Sequence, residues 1–106
     1  MTYYKNGKFN CAELSYRQVK KLVDMEIGAH IITKAQCDEV KEILELDEIN
    51  DVEELRAVRN SVVMYLGDYE EIYGEFDSNK SFQIMTNISG ITAVIDDKMF
   101  NLGGIY

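Results

Sequence analysis

The residues of this chain that could perform nucleophilic or metal chemistry are few. Its single histidine is His30, and its two cysteines, Cys11 and Cys37, show no paired spacing. A cysteine nucleophile needs a histidine within hydrogen-bond reach, so a small enzyme or ligand-binding domain around His30 is one alternative. One histidine and two separated cysteines do not supply the ligand set of a zinc site. We therefore expect no catalytic residue, no metal and no cofactor, and predict that the protein is not an enzyme.

The acidic and glycine residues do not follow the spacing of known cation or phosphate loops. A calcium loop starting at Asp47 would place Ile49 at a ligand position, and one starting at Asp68 would place Ile72 there. The seven glycines form neither a dinucleotide-binding fingerprint nor a P-loop. The acids therefore indicate a surface rather than an ion site.

The overall charge indicates which partners the protein can bind. Over 106 residues, 11 Lys and Arg stand against 19 Asp and Glu, giving a formal charge of −8 and a pI of about 4.5. Such a chain repels phosphate backbones and anionic membranes. We predict a basic protein as partner, with no direct nucleic acid, no membrane, and a monomer or dimer as the oligomeric state.

The acidity is concentrated in the middle of the chain. Residues 1–37 sum to +3, residues 38–77 to −11, and residues 78–106 to zero. A helix-turn-helix formed by the first two predicted helices would present Asp38, Glu39 and Glu42 to the DNA, which would repel them. A plain helical hairpin is the preferred interpretation.

Residues 68–77 interleave carboxylates with aromatic side chains. On a helix, the aromatic side chains share one face and Asp68, Glu71 and Glu75 share another. Carboxylates repeated along a rod can imitate phosphates and attract a groove rich in Lys and Arg. The alternative is that the aromatic stripe is core and the carboxylates are solvated. The predicted partner-binding residues are Asp68, Tyr69, Glu70, Glu71, Tyr73, Glu75, Phe76 and Asp77.

Two capping boxes predict the starts of the first two helices. Ser15 with Gln18, and Thr33 with Gln36, each combine an N-cap hydroxyl with a glutamine three residues later. Apolar residues at helical spacing follow each box. We expect the first helix to end at Gly28.

The other bounds of the helical region are set by weaker signals. A start at Asn10 is an alternative for the first helix, and the second is expected to reach about Leu46. Asp51 with Glu54 predicts the start of a third helix. Its apolar residues recur to residue 73, and Gly67 either lies within this helix or divides it.

The hydrophobic period changes after Ser81. Phe82, Ile84 and Thr86 alternate with other residues, residues 91–95 are rich in β-branched side chains, and residues 99–102 could return as a third strand. At the N-terminus, Asn-Gly at positions 6–7 between aromatic residues predicts a β-ribbon. The predicted fold class is therefore α+β, with about three helices packed on a small antiparallel sheet of C-terminal strands and an N-terminal β-ribbon as a further element.

The length and composition predict one globular domain over residues 1–106. Hydrophobic residues make up 46% of the chain, which is enough for a core, and no stretch is long enough for a membrane span. Because residues 1–10 contain no apolar run, we expect no cleaved leader, and two cysteines are too few for a disulfide framework. We expect a cytoplasmic location with free thiols, in the host cell if the gene belongs to a phage.

A small acidic α+β domain with Tyr-Glu-Glu-Ile-Tyr-Gly-Glu-Phe at residues 69–76 resembles the anti-CRISPR proteins of bacteriophages. The likeness lies in size, charge and architecture. It implies a non-enzymatic inhibitor that binds a basic nuclease, such as a Cas effector, by imitating nucleic acid. An immunity protein or antitoxin that neutralises a basic toxin nuclease is the alternative within the same class.

Overall fold

Helices make up most of the chain in the computed structural model, which describes residues 3–6, 9–28, 31–73 and 78–103. Two short strands come first, β1 (Tyr3–Asn6) and β2 (Phe9–Ala12). A 3₁₀ turn at Leu46–Glu48 separates the second and third helices. The helices in the described ranges are α1 (Tyr16–Val23), α2 (Lys34–Ile43), α3 (Val52–Tyr73) and α4 (Ser78–Asn101).

Both capping boxes predicted from the sequence are confirmed. The hydroxyl of Ser15 accepts a hydrogen bond from the backbone N–H of Gln18 at 3.1 Å, and the Gln18 side chain accepts one from the Ser15 N–H at 2.9 Å. Thr33 and Gln36 form the same pair of bonds before α2. Each box satisfies N–H groups that a helix start leaves unpaired. The first helix ends at Val23, earlier than the predicted stop at Gly28.

The third helix starts where the sequence predicts and continues through its glycine. Asp51 accepts a hydrogen bond from the N–H of Glu53 at 3.2 Å, as an N-cap residue does. Apart from its chain neighbours and the backbone of its own helix, no heavy atom of the described residues lies within 4 Å of the point where a Cβ on Gly67 would sit. Gly67 is therefore an exposed position inside a continuous α3.

The predicted C-terminal sheet is wrong, and with it the α+β fold in which helices pack on that sheet. Residues 78–101 form one helix, α4, which packs along α3. Ile84, Ile91 and Ile95 are 3%, 0% and 0% exposed, at the helical spacing of seven and four. Their β-branched side chains favour strands only where sheet packing is available, and packing against α3 overrides that preference.

Asn87 is the reason that the sequence pattern of residues 78–101 does not indicate a helix. It is fully buried at a core position of α4, so it interrupts the apolar pattern with a polar side chain. Its Nδ2 donates to the carbonyls of Leu22, Val23 and Met25 at 3.0, 3.2 and 2.8 Å, and its Oδ1 accepts from the N–H of Ile27 at 3.1 Å. The amide therefore pairs with the backbone carbonyls at the end of α1. The helical period of α4 is visible only when Asn87 is counted as a core residue.

The N-terminal strands pair in antiparallel register and rest on α3. Tyr3 stands opposite Ala12 and Asn6 opposite Phe9, so the pair lies where the β-ribbon is predicted; its turn residue at position 7 falls outside the described residues. The Ala12 N–H donates to the hydroxyl of Ser61, which is fully buried on α3, at 2.7 Å. That hydroxyl lies 2.6 Å from the Ala12 carbonyl, and the ribbon is held to α3 by this reciprocal contact.

The buried side chains of all four described helices join in one cluster. Leu22 of α1, Val40 of α2 and Leu55 of α3 are each 0% exposed and belong to it. An ion pair of 2.7 Å between Arg59 of α3 and Asp96 of α4 also links these two helices. Within the described ranges, no helix combines the length and apolar character that a bilayer span requires.

Candidate protein-binding surface

The densest run of described carboxylates follows α2 into the start of α3. Residues 38–54 hold Lys41 as their sole basic residue. The seven carboxylates from 38 to 51 are exposed, and the last two are half-buried. We call this set the acidic surface: Asp38, Glu39, Glu42, Glu45, Asp47, Glu48, Asp51, Glu53 and Glu54.

The amphipathic pattern of α2 turns its carboxylates outward. Val40, Ile43 and Leu44 are 0%, 8% and 0% exposed and pack into the core. Residues three and four apart share a helix face, so a buried apolar stripe places Glu39 and Glu42 toward solvent. The core therefore fixes the direction of these carboxylates.

The turn after α2 continues the surface. Glu45 adopts a left-handed conformation with φ of 55°, which ends the helix and redirects the chain. Leu46 and Ile49 are 0% and 3% exposed. Because they are buried, Asp47 and Glu48 between them face solvent.

The acidic surface is largely without internal charge partners. Glu53 pairs with Arg56 at 2.8 Å. The other ion pairs between described residues use Asp24 and Asp96, which lie outside the surface. The seven exposed carboxylates of the surface thus form no ion pair within the described ranges, and their charge is presented to solvent.

Helix stability does not explain the acids at the end of α2. The positive end of a helix dipole lies at its N-terminus, where carboxylates stabilise it, and the first turn of α2 contains none. Glu42 lies in the last turn and Glu45 just beyond it, where a carboxylate is unfavourable. Asp51 and Glu53, by contrast, complement the N-terminus of α3.

A cleft of about 770 Å³ borders the acidic surface, between α1 and α2. Its α1 side is lined by Arg17 and Lys21 together with Asp24 at the end of that helix, and its other side by Glu39, Glu42 and Glu45. Apart from Asp24, none of these side chains forms an ion pair with a described residue. Cations and carboxylates therefore line one cleft without an ion pair between Arg17 or Lys21 and the three glutamates.

The two capping-box glutamines also hold the walls of this cleft in place. Gln18 donates through Nε2 to the carbonyl of Ile43 at 3.0 Å, which links the start of α1 to the end of α2. Gln36 donates in the same way to the carbonyl of Glu26 at 3.0 Å. Each glutamine thus serves its own helix start and a second element, and the two helices are fixed relative to one another.

The residues predicted from the sequence to bind a partner are only partly within the described structure. Asp68 is exposed on α3. Tyr69 is 6% exposed and belongs to the core cluster, so it is not accessible to a partner, and burial raises the pKa of its hydroxyl. The backbone of α3 includes Glu70, Glu71 and Tyr73, whose side chains fall outside the described residues together with Glu75, Phe76 and Asp77.

The residues considered for catalysis are not brought together in the described structure. Cys11 is buried and Cys37 is half-buried, and both are free thiols. His30 falls outside the described residues. Among the residues described, no cluster of histidine, cysteine and carboxylate side chains is arranged to hold a metal ion.

The cleft is the feature that sequence reasoning missed. The acidic segment can be found from the sequence alone, by summing the charges of residues 38–77. Arg17 and Lys21 come to lie beside that segment only because α1 packs next to α2. The one available signal was that both capping boxes use glutamine, whose amide group has a second donor to offer.

Comparisons with known proteins give no family for this chain. No family model, no curated protein and no solved structure matches it.

Proposed function

We propose that this chain is a non-enzymatic inhibitor that binds a basic, nucleic-acid-binding nuclease through the acidic surface. The observation that carries the proposal is the row of exposed carboxylates from Asp38 to Asp51, which have no ion pairs within the described residues. Surface charges of one sign attract and orient a partner of the other sign. A nuclease groove that holds a phosphate backbone offers the matching cations.

The spacing of the α2 carboxylates suits this role. Glu39 and Glu42 lie three residues apart on α2, and neighbours at that interval stand about 5–6 Å apart on a helix, while Glu45 follows in the turn after it. The result is a pair of exposed negative groups on a fixed helix with a third in the adjoining turn, a local density of negative charge that a phosphate-binding groove could accept. The position of Glu42 and Glu45 at the negative end of α2 opposes helix stability, which supports a role in binding.

The same surface would serve an anti-CRISPR-like inhibitor or an immunity protein, because both bind basic nucleases. The partner decides between them. Co-purification with a Cas effector that is loaded with guide RNA but free of DNA supports the first, and co-purification with a basic toxin nuclease supports the second.

Charge reversal within the acidic surface tests the proposal. We expect Glu42→Lys with Glu45→Lys to weaken binding to the basic nuclease by about a hundredfold, because two attractive contacts become repulsive. Calorimetry over a series of salt concentrations measures the affinity and its salt dependence. The wild type should bind less tightly as salt rises, and the variant should show a smaller salt dependence.

A matched control keeps the change in net charge constant. Glu13→Lys with Asp97→Lys reverses two exposed acids that lie outside the surface, and we expect it to change affinity by less than about fivefold. Glu70→Lys with Glu71→Lys tests the segment predicted from the sequence in the same assay. Equal losses in all three double variants would show that net charge, and not this surface, determines binding, and would overturn the proposal.

A further inference from the structure

The cleft between α1 and α2 carries two cations that attraction to a purely basic partner does not explain. Arg17 and Lys21 both line its α1 side and both are exposed. They lie four residues apart, so they share a helix face with about 5–6 Å between their Cβ atoms. Neither forms an ion pair with a described residue. The two side chains therefore form a pair of cations on one side of the cleft.

The carboxylate on the same side of the cleft does not neutralise this pair. Asp24 also lines the cleft, but its carboxylate lies 3.0 Å from the Nζ of Lys20 and 3.8 Å from the Nζ of Lys80. Its charge is thus engaged by two other lysines. The charge that α1 presents to an occupant of the cleft is therefore that of Arg17 and Lys21.

Helix stability does not explain the position of Arg17. It is the second residue of α1, in a first turn that contains no acid, and a cation is unfavourable at the positive end of a helix dipole. Across the cleft, Glu42 and Glu45 stand at the negative end of α2. The bond from Gln18 to the carbonyl of Ile43 joins these two helix ends. Charges at unfavourable helix ends thus line both sides of one cleft.

We propose that the cleft receives a segment of the nuclease in which a carboxylate stands beside cations, and that Arg17 and Lys21 bind this carboxylate. The inference rests on the proposed function, because it concerns the same partner and the adjoining surface. The cations of the segment would contact Glu39, Glu42 and Glu45 on the opposite side. A guanidinium binds a carboxylate through two parallel hydrogen bonds, so Arg17 supplies orientation as well as charge.

The cleft has the room and the rigidity for such a segment. Its volume of about 770 Å³ falls within the range of roughly 300–1,000 Å³ that is usual for ligand sites. The Nε2 of Gln18 holds the start of α1 to the end of α2 at 3.0 Å. Because the two sides are fixed before a partner arrives, little of the binding energy is lost in ordering them.

The pair of cations also distinguishes between basic partners. Arg17 and Lys21 repel a segment that presents only cations to α1, and like charges brought together at an interface lower its affinity. A segment with a carboxylate at this position gains two attractive contacts instead. The acidic surface thus attracts basic proteins in general, while the pair selects those whose groove carries a carboxylate at the matching place.

Removal of the pair is expected to have opposite effects on two probes. One probe is the nuclease used in the charge-reversal test, and the other is amidated decalysine, which has cations and no carboxylate. We expect Arg17→Ala with Lys21→Ala to weaken nuclease binding by about tenfold, because two attractive contacts are lost. The same variant should bind decalysine about twofold more tightly, because a repulsion is removed. Calorimetry in low salt measures both affinities.

A matched control removes two cations that do not line the cleft. Lys34→Ala with Lys41→Ala changes the net charge by the same amount, and neither lysine forms an ion pair with a described residue. With less positive charge on α2, we expect both probes to bind about twofold more tightly. Circular dichroism of both double variants establishes that each one is folded.

The effect of the Arg17 and Lys21 variant on nuclease binding decides the inference. Unchanged or tighter binding would overturn it, because the pair would then contact no carboxylate of the partner. Weaker binding of nuclease and decalysine alike would overturn it as well, since decalysine offers the pair no carboxylate. The proposed function fails by a different result, namely equal losses in the charge-reversal variant and its controls, so the two failures are distinguishable.

Discussion

Asn87 shows how one buried polar side chain can fix the arrangement of a small helical core. Its Nδ2 donates to a backbone carbonyl at the end of α1. Its Oδ1 accepts from the N–H of Ile27 and, at 2.9 Å, from the Nε2 of Gln83. Buried amides are costly unless paired, and every buried side-chain polar atom in the described residues has a partner. The position of α4 against α1 is therefore specified by hydrogen bonds as well as by apolar contact.

Replacing Asn87 should be more destabilising than replacing a buried hydroxyl of the same helix. Asn87→Ala removes all its bonds to the end of α1, so we expect a loss of about 3 kcal/mol in the free energy of unfolding. Thr92→Ala is the control, because the Thr92 hydroxyl donates only to carbonyls of α4 itself, at Ile88 and Ser89. It should cost about 1 kcal/mol or less.

Urea unfolding of both variants measures this difference. If Asn87→Ala lost no more stability than Thr92→Ala, the amide network would contribute nothing specific. The packing of α4 on α1 would then rest on apolar contact alone.

The two long helices use their glycines in opposite ways. A Cβ on Gly90 of α4 would lie 2.7 Å from the Cγ2 of Ile27, a residue that is 2% exposed. A Cβ on Gly67 of α3 would meet no described atom within 4 Å outside its chain neighbours and its own helix backbone. Gly90 therefore permits the close approach of α4 to the segment after α1, whereas Gly67 serves no contact among the described residues.

Alanine at these two glycines should have opposite effects on stability. Gly67→Ala is expected to stabilise the protein by about 0.5–1 kcal/mol, because alanine loses less backbone entropy in a helix. Gly90→Ala gains the same helical preference, but it overpacks the core against Ile27 and should destabilise the protein by about 1–3 kcal/mol. Thermal unfolding of the two variants gives the sign of each effect. Stabilisation by both would show that the segment at Ile27 shifts freely to make room.

The elements also show where sequence patterns succeed. The N-termini of α1 and α2 depend on bonds between residues three apart, such as Ser15 and Gln18, so they can be predicted locally. The C-terminal helix could not be predicted in this way, because Asn87 occupies a core position whose hydrogen-bond partners lie about 60 residues away in the sequence. Without those partners, the alternation of Phe82, Ile84 and Thr86 is typical of a strand.

The charge of the whole molecule affects both its stability and its proposed function. Carboxylates concentrated in residues 38–54 repel one another while the fold holds them together. Not every basic residue is placed to offset this repulsion. Lys98 donates instead to the carbonyl of Leu46 and links α4 to the turn after α2. The acidic surface is therefore an arrangement that the fold supports at some cost in stability.

The charge-reversal variant should consequently be more stable than the wild type. Glu42→Lys with Glu45→Lys removes repulsion and places cations at the negative end of α2, and we expect a gain of about 0.5–1 kcal/mol in low salt. The gain should shrink in high salt, because both effects are screened. Thermal unfolding at two salt concentrations measures it. A variant less stable than the wild type in low salt would mean that these glutamates are structural, and its loss of binding could not be assigned to contact with a partner.

The sequence by itself determined the acidic character of the middle segment, the two capping boxes and the start of α3, because charge sums and bonds over three residues need no distant partner. The tertiary structure alone decided that residues 78–101 form a helix, that Tyr69 is core, and that the walls of the cleft face one another. Each of these depends on burial against residues far away in the chain. Burial reverses a local preference whenever the packing energy exceeds the fraction of a kcal/mol by which helix and strand propensities differ.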